Sequence, residues 1–227
     1  MEGKEGFMTK IFSDYAKYYN LVYTTKDYKQ EADFVYNWAN KPKTILELGC
    51  GTGQHAKYWT DKTNVIYAVD NSQEMINQAY KHPKIKYMCI PLQDLDPNTL
   101  FDCVFSLFNV MGYTLLEYSL DKIPITKNGI FIFDVWDASK FKKYPSVVKV
   151  KHFNLGYRVA IPEQITDRLI KIDYIIVEDR KVQVFERHFV QGYFRKDIEK
   201  LCKLHKYKIV GVRPTKDWSC WYKLRKL

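Results

Sequence analysis

Apolar residues follow three different rhythms along this chain of 227 residues. Up to Trp38 the spacing is helical. The stretch FSDYAKYYNLVY is rich in tyrosine, and DYKQEADFVYNWA repeats Ala32, Val35, Tyr36 and Ala39 at helical intervals. Lys41-Pro42 ends that pattern. From there to Trp136 short continuous apolar runs take over: KTILELG, NVIYAVD, IKYMCI, FDCVFSLF and GIFIFDVW. Helical stretches stand between them: QHAKYWTDK, SQEMINQAYKH opened by the N-cap Ser72, and a segment near 114–123. Continuous apolar strands alternating with helices predict a parallel sheet covered on both faces. From about residue 147 the rhythm becomes strict alternation. VVKVKHF, YRVAI, LIKIDYIIVE and KVQVFERHFVQGYF follow one another, separated by NLG, a Pro-containing stretch and EDRK. That is an antiparallel meander. RKDIEKLCKLHKY returns to helix, and KIVGVR and CWYKLR close as strands.

The predicted fold is therefore α/β: a doubly wound sheet with an antiparallel β insertion after its fifth strand. Residues 1–40 form a helical leader, 41–146 and 195–227 the sheet domain, and 147–194 the insertion. At 46% hydrophobic and 16% aromatic residues, the chain can bury one sizeable core. No apolar run reaches the roughly 20 residues of a membrane-spanning helix. The opening MEGKEGFMTK lacks an apolar signal region, so the expected location is cytoplasmic. The five cysteines form no CxxC and the five histidines no HExxH, which predicts reduced thiols and no metal. Lys and Arg number 36 against 26 Asp and Glu, a net charge of +10. That excess suits an anionic partner, either a phosphate-bearing small molecule or nucleic acid; a lysine-rich solvated surface accounts for it equally. The basic residues are dispersed, which argues against a nucleic-acid footprint.

The chemistry concentrates in ILELGCGTG, residues 45–53. A loop at the carboxyl end of the first parallel strand is where ligands bind in such sheets. Gly49, Gly51 and Gly53 let backbone turn tightly and approach a ligand. The spacing is not GxGxxG, and Glu47 before the first glycine would repel a pyrophosphate but attract an ammonium or sulfonium group. The next strand ends in Asp70, placed to accept the ribose hydroxyls of an adenosine. A nucleoside with a cationic, phosphate-free extension fits, and S-adenosylmethionine has that chemistry.

The stretches ELGCGTG, VIYAVDNSQEMINQA and FDCVFSLFNVMGY resemble the class I S-adenosylmethionine-dependent methyltransferases over residues 44–136. YAKYYNLVYTTKDYKQEAD, FDVW and ERHFVQGYFRKDIEKL resemble, more loosely, the sugar and aminosugar N-methyltransferase group, some of whose members act on dTDP-linked aminosugars. The resemblance implies a Rossmann-like methyltransferase domain, a leader that serves as a lid and an insertion that caps the pocket. It also implies roles. Glu47, Gly49 and Gly51 would line the methionine part of the cofactor, Asp70 with Asn71 the ribose, and Met75 the adenine. Tyr15 and Tyr19 would lie over the cofactor, and Phe108, Asn109 and Tyr113 beside the transferable methyl.

Two positions depart from that pattern. Pro91 stands where many relatives carry an aspartate for the adenine amino group, so that contact passes to Leu92, Gln93 or Asp94. Asn109 stands where relatives often carry histidine, and asparagine is no general base. His188, in FERHFVQ, is the candidate base, with a hydrogen-bonded sheet histidine as the alternative. Tyr19 and Tyr113 complete the catalytic candidates. His55 reads as a helix-face residue. Asp134 and Trp136 share one strand face at the rim and are candidate substrate contacts. Arg158, Arg187 and Arg195 would either bind a nucleotide diphosphate or form a solvated cationic rim. The expected function is methyl transfer to a small molecule, an N- or O-methylation of a nucleotide-linked sugar or aminosugar. The alternatives are an RNA or protein methyltransferase and an idle cofactor-binding fold.

Overall fold

The structure, a computed structural model, describes residues 11–143, 147–215 and 217–227. The first ten residues of the predicted leader, and 144–146 at the entrance to the insertion, lie outside them. The parallel strands are β1 (Thr44–Leu48), β2 (Val65–Asp70), β3 (Ile85–Cys89), β4 (Phe101–Ser106) and β5 (Ile125–Trp136). The chain then makes β6 (Lys149–Phe153), β7 (Gly156–Gln164), β8 (Leu169–Glu178) and β9 (Lys181–Gln191), and finishes with β10 (Tyr207–Pro214) and β11 (Ser219–Lys226). Seven strands form one sheet in the order β10-β11-β5-β4-β1-β2-β3, and β6 to β9 form a second, antiparallel sheet. Winding starts at β1, runs outward to β3, and resumes at β4 on the other side. The direction of winding therefore reverses between β1 and β4, and a crevice opens at their carboxyl ends.

Strand alternation sets the two faces of the large sheet. Ile45, Phe105, Ile132 and Trp221 pack against Val35 and Trp59 on one face. Leu46, Val104, Phe131 and Phe133 pack with Tyr193 and Ile198 on the other. Helix α1 spans Ala16–Val22 and α2 spans Tyr28–Trp38. Asp27 starts α2 by accepting the Gln30 N–H at 2.8 Å, a cap that contributes about 1 kcal/mol. Helix α3 (Gln73–Asn77) opens at Ser72 as expected, with the Met75 N–H donating to its hydroxyl at 3.2 Å, but ends sooner than the pattern predicts.

Three expectations are corrected. QHAKYWTDK forms only a 3-10 turn, Ala56–Trp59. Its Tyr, Trp and Thr are modest helix formers, and the chain must enter β2 at Val65. The segment near 114–123 breaks into α4 (Met111–Thr114), α5 (Leu116–Ser119) and a 3-10 turn, because Leu115 takes a φ of 56° between them. Pro162 lies inside β7 and not in a turn; β6 pairs only as far as Ala160, so the missing N–H falls where β7 has become an edge.

The small sheet covers α1, whereas α2, also part of the predicted leader, packs on the large sheet. Ile176 and Val184 bury Tyr15, Ala16, Tyr18 and Val22. Glu186 on β9 accepts the N–H groups of Phe12 at 2.8 Å, Ser13 at 3.1 Å and Tyr15 at 3.0 Å. A carboxylate is thus fixed where backbone donors entering α1 have no partners of their own. Helix α6 (Arg195–Leu204) then leads back to the large sheet. Among the described residues no helix is long and apolar enough to cross a membrane.

Candidate active site

The loop after β1 carries Gly49, Gly51 and Gly53 at φ values of 67°, 52° and 68°. A Cβ on Gly49 would lie 2.5 Å from Val110 Cγ2, so that glycine is required for packing against α4. A Cβ on Gly51 would meet only Met75 Cε at 3.9 Å, so space remains in front of that backbone. Asp70, at the end of β2, holds the loop. Its Oδ2 accepts the Gly51 N–H at 2.8 Å and its Oδ1 the Ser72 N–H at 2.9 Å. A carboxylate has about four acceptor directions, so acceptor capacity remains for a ligand. Burial raises the Asp70 pKa, and the backbone donors offset part of that rise.

Behind the loop lies a chain of charges. Glu47 is buried, with Oε1 3.2 Å from His55 Nδ1. Its Oε2 is buried with no hydrogen-bond partner among the described residues. His55 Nε2 lies 2.9 Å from Glu31 Oε2, and Glu31 is ion-paired with Lys26. Burial raises the Glu47 pKa. Burial also opposes charge on Glu31 and His55. The His55 and Lys26 contacts nonetheless hold Glu31 below its ordinary value, and the two carboxylates hold His55 above its own.

Two cavities meet at Phe108. A narrow one follows the glycine loop between Tyr19, Tyr28, Gly49, His55 and Phe108. The other, about 330 Å³, opens among Lys26, Glu31, Asp134, Asp217 and Trp221, and Phe108 lines it too. Phe108 and its neighbour Asn109 take φ values of 69° and 60°, each costing on the order of 1–3 kcal/mol. Two hydrogen bonds fix that turn. The Asn109 N–H donates to Asp134 Oδ1 at 3.0 Å, and the Trp136 N–H donates to Asn109 Oδ1 at 2.9 Å. Burial pushes the Asp134 carboxyl up to about 6.

The residues singled out in the sequence fall into three groups. Tyr19, Gly49 and Phe108 wall the narrow cavity, with Glu47, Gly51, Asp70 and Met75 around the same loop. Asn109, Asp134 and Trp136 are joined by the hydrogen bonds just described. Tyr113 and His188 form a cluster under the small sheet: His188 Nδ1 is 3.2 Å from the Tyr113 hydroxyl and its Nε2 is 3.0 Å from Glu186. His188 is fully buried there, against the ring of Phe12. Other candidates lie apart from both cavities. Tyr15 is buried beside Tyr174, and Arg158 donates to the Tyr23 hydroxyl at 3.2 Å. Arg187 and Arg195 pair with Asp173 and Glu199. Leu92 is core, while Asn71 and Gln93 face solvent.

Sequence reasoning passed over Lys26, Tyr28, Glu31 and Asp217, and read His55 as a helix-face residue. The structure buries His55 between two carboxylates. The one available signal for Lys26, Tyr28 and Glu31 was their place within TTKDYKQEAD, part of the looser resemblance. Asp217 had none.

Residues 45–122 match the methyltransferase domain family. Over that segment this chain is similar to methyltransferase domains. Around it the similarity is more distant. Over 107 residues the chain is 29% identical to dTDP-3-amino-3,4,6-trideoxy-alpha-D-glucopyranose N,N-dimethyltransferase of Streptomyces venezuelae, covering 44% of this chain and 45% of that protein. Over 163 residues it is 24% identical to malonyl-[acyl-carrier protein] O-methyltransferase of Anoxybacillus flavithermus, covering 69% and 60%. The chain spans about half the length of the curated relatives it matches. The fold of the whole chain is that of CalS10, an amino pentose methyltransferase from Micromonospora echinaspora solved with S-adenosylmethionine bound. The TM-score is 0.76 at 14% identity, covering 99% of this chain and 100% of that one. The matched segment contains both the glycine loop and the Phe108 turn.

Proposed function

We propose that this chain transfers a methyl group from S-adenosylmethionine to the amine of a small molecule, a nucleotide-linked aminosugar being the favoured class. One observation carries the reading: a glycine-lined cavity and a carboxylate-lined cavity share the Phe108 ring. The first fits the cofactor. Gly51 leaves room for close approach, Asp70 keeps acceptor directions for a ribose, and the unpartnered Glu47 Oε2 suits a cationic amino end. S-adenosylmethionine supplies a methyl group already activated on a sulfonium; the chain's own residues align the acceptor and exclude water. Alignment alone can contribute about 7–11 kcal/mol.

The second cavity favours an amine. Glu31, Asp134 and Asp217 surround it, with Lys26 paired to Glu31. An ammonium is attracted by such a wall, whereas a carboxylate acceptor is repelled. That electrostatic difference weighs against O-methylation of a malonyl group, despite the similarity to the malonyl enzyme. The Asn109 amide is occupied by Trp136 and supplies no base for a hydroxyl. A diphosphate would lie outside the carboxylate wall. A panel of dTDP-aminosugars, free amines and acyl-carrier substrates, read by mass spectrometry for the gain of a methylene, tests the proposal. Methylation of the amines alone is expected; methylation of the malonyl carrier alone contradicts it.

A further inference from the structure

Resting on that reading, we infer that the ammonium of Lys26 holds the subsite of the acceptor's own ammonium, and that the acceptor displaces it on binding. Lys26 stands in the linker between α1 and α2. Lysines are usually exposed, yet this side chain is 12% exposed. Three groups hold its Nζ. Glu31 pairs with it, the centre of the Phe108 ring is 4.5 Å away and the centre of the Tyr28 ring 5.1 Å away. Two aromatic rings and a carboxylate suit an alkylammonium ion. Among the described residues Glu31 is the one hydrogen-bond acceptor for the three donors of Nζ. Charge and ring faces therefore do most of the holding, and another alkylammonium can satisfy them as well.

Its position ties this cage to the acceptor. Tyr28 and Phe108 wall the narrow cavity, while Lys26, Glu31 and Phe108 wall the wide one. Nζ therefore stands where the two cavities meet, and an acceptor nitrogen must come there to face a cofactor in the first. The cage does not depend on Lys26. Glu31 Oε2 is held by His55 Nε2 at 2.9 Å, and the Phe108 turn by the Asn109 hydrogen bonds. The Lys26 backbone is pinned, its N–H donating to the Tyr23 carbonyl at 3.1 Å and its carbonyl accepting the Tyr28 N–H at 3.0 Å. Its flexible four-carbon stem is free to turn, and Asp134 and Asp217 line the same cavity to receive the departing ammonium. A cationic acceptor restores the charge it displaces. An uncharged one leaves Glu31 facing the cavity with no cation, so the displacement of Lys26 is a threshold that only an ammonium recovers.

Two measurements test it. NMR of protein carrying isotope-labelled lysine, with Lys26 assigned by its loss in Lys26→Met, reads the ring-current shift that Phe108 and Tyr28 impose on its ε-methylene. Methylammonium chloride is expected to remove that shift saturably, and sodium chloride at equal ionic strength to leave it. No saturable change, or an equal change with sodium chloride, overturns the subsite. Steady-state methylation of an amine acceptor gives the second measurement. Lys26→Met keeps the apolar stem and removes the charge, and its KM is expected to fall about tenfold. Adding Glu31→Gln to Lys26→Met should cancel that gain, whereas a merely structural ion pair, already broken in the first variant, has nothing further to lose. An unchanged or higher KM in Lys26→Met, or a double variant equal to it, overturns the displacement. A protein that methylates only hydroxyls or carboxylates overturns the underlying amine reading, and the NMR result then decides separately whether Lys26 yields to an ammonium.

Discussion

The two halves of the crevice are built from different materials. The half at β1 and β2 is mostly backbone: three left-handed glycines, and N–H groups of Gly51 and Ser72 held by one carboxylate. The half at β4, β5 and β11 is mostly side chains: Lys26 and Glu31 from α2 and the stretch before it, Phe108 from the turn after β4, and Asp134, Asp217 and Trp221 from later strands and loops. In the proposed function the backbone cradle would hold the cofactor, which is the same for every acceptor. A side-chain wall can change its charge without disturbing the cradle, and in that proposal it would set the acceptor.

Substitutions can break or sharpen that contrast. Gly49→Ala has the largest expected effect. Its Cβ would collide with Val110 at a φ of 67°, costing about 4 kcal/mol of stability together with cofactor binding; thermal unfolding and calorimetry report both. Asp134→Asn comes next and acts through pH. The Asp134 pKa is raised from 3.8 to about 6, so its contribution to stability is full below its ordinary value and is lost as pH rises through about 6. That amounts to about 3 kcal/mol across the window, and the difference between wild type and Asp134→Asn in denaturant titrations should change by that much. Asp70→Asn should weaken S-adenosylhomocysteine binding by about 10- to 100-fold, leaving the pH slope set by Asp134 in place. The smallest effect belongs to Glu186→Gln at the leader. The His188 contact and backbone donors hold the Glu186 pKa below its ordinary value, although burial raises it, so its stabilisation is present above that value and lost on acidification. The variant should lose about 1–2 kcal/mol at neutral pH, with faster proteolysis within residues 11–22.

The same contrast explains what could be read from the sequence. The cradle is local. Glycines within five residues and an acid at the next strand end are contiguous signals: Gly49 and Gly51 lie in the loop after β1, Asp70 ends β2 and Ser72 caps α3. The alternation of β6 to β9 is local too, and the meander follows it. The wall is not local. Glu31 lies on the polar side of an amphipathic helix, a position that reads as solvated until the neighbouring turn folds as a 3-10 segment and brings His55 against it. Asp217 reaches the cavity only because β11 runs antiparallel beside β5. Even within the cradle, the expected helix after Gly53 fails, since helix propensity loses to the short path into β2.

The division between cradle and wall is tested most directly by titrating S-adenosylhomocysteine into wild type, Asp70→Ala and Asp134→Asn by calorimetry. The account predicts one site in wild type, an affinity at least about tenfold lower in Asp70→Ala, and a value within about twofold of wild type in Asp134→Asn. Absence of binding to wild type, or equal losses in the two variants, would contradict it.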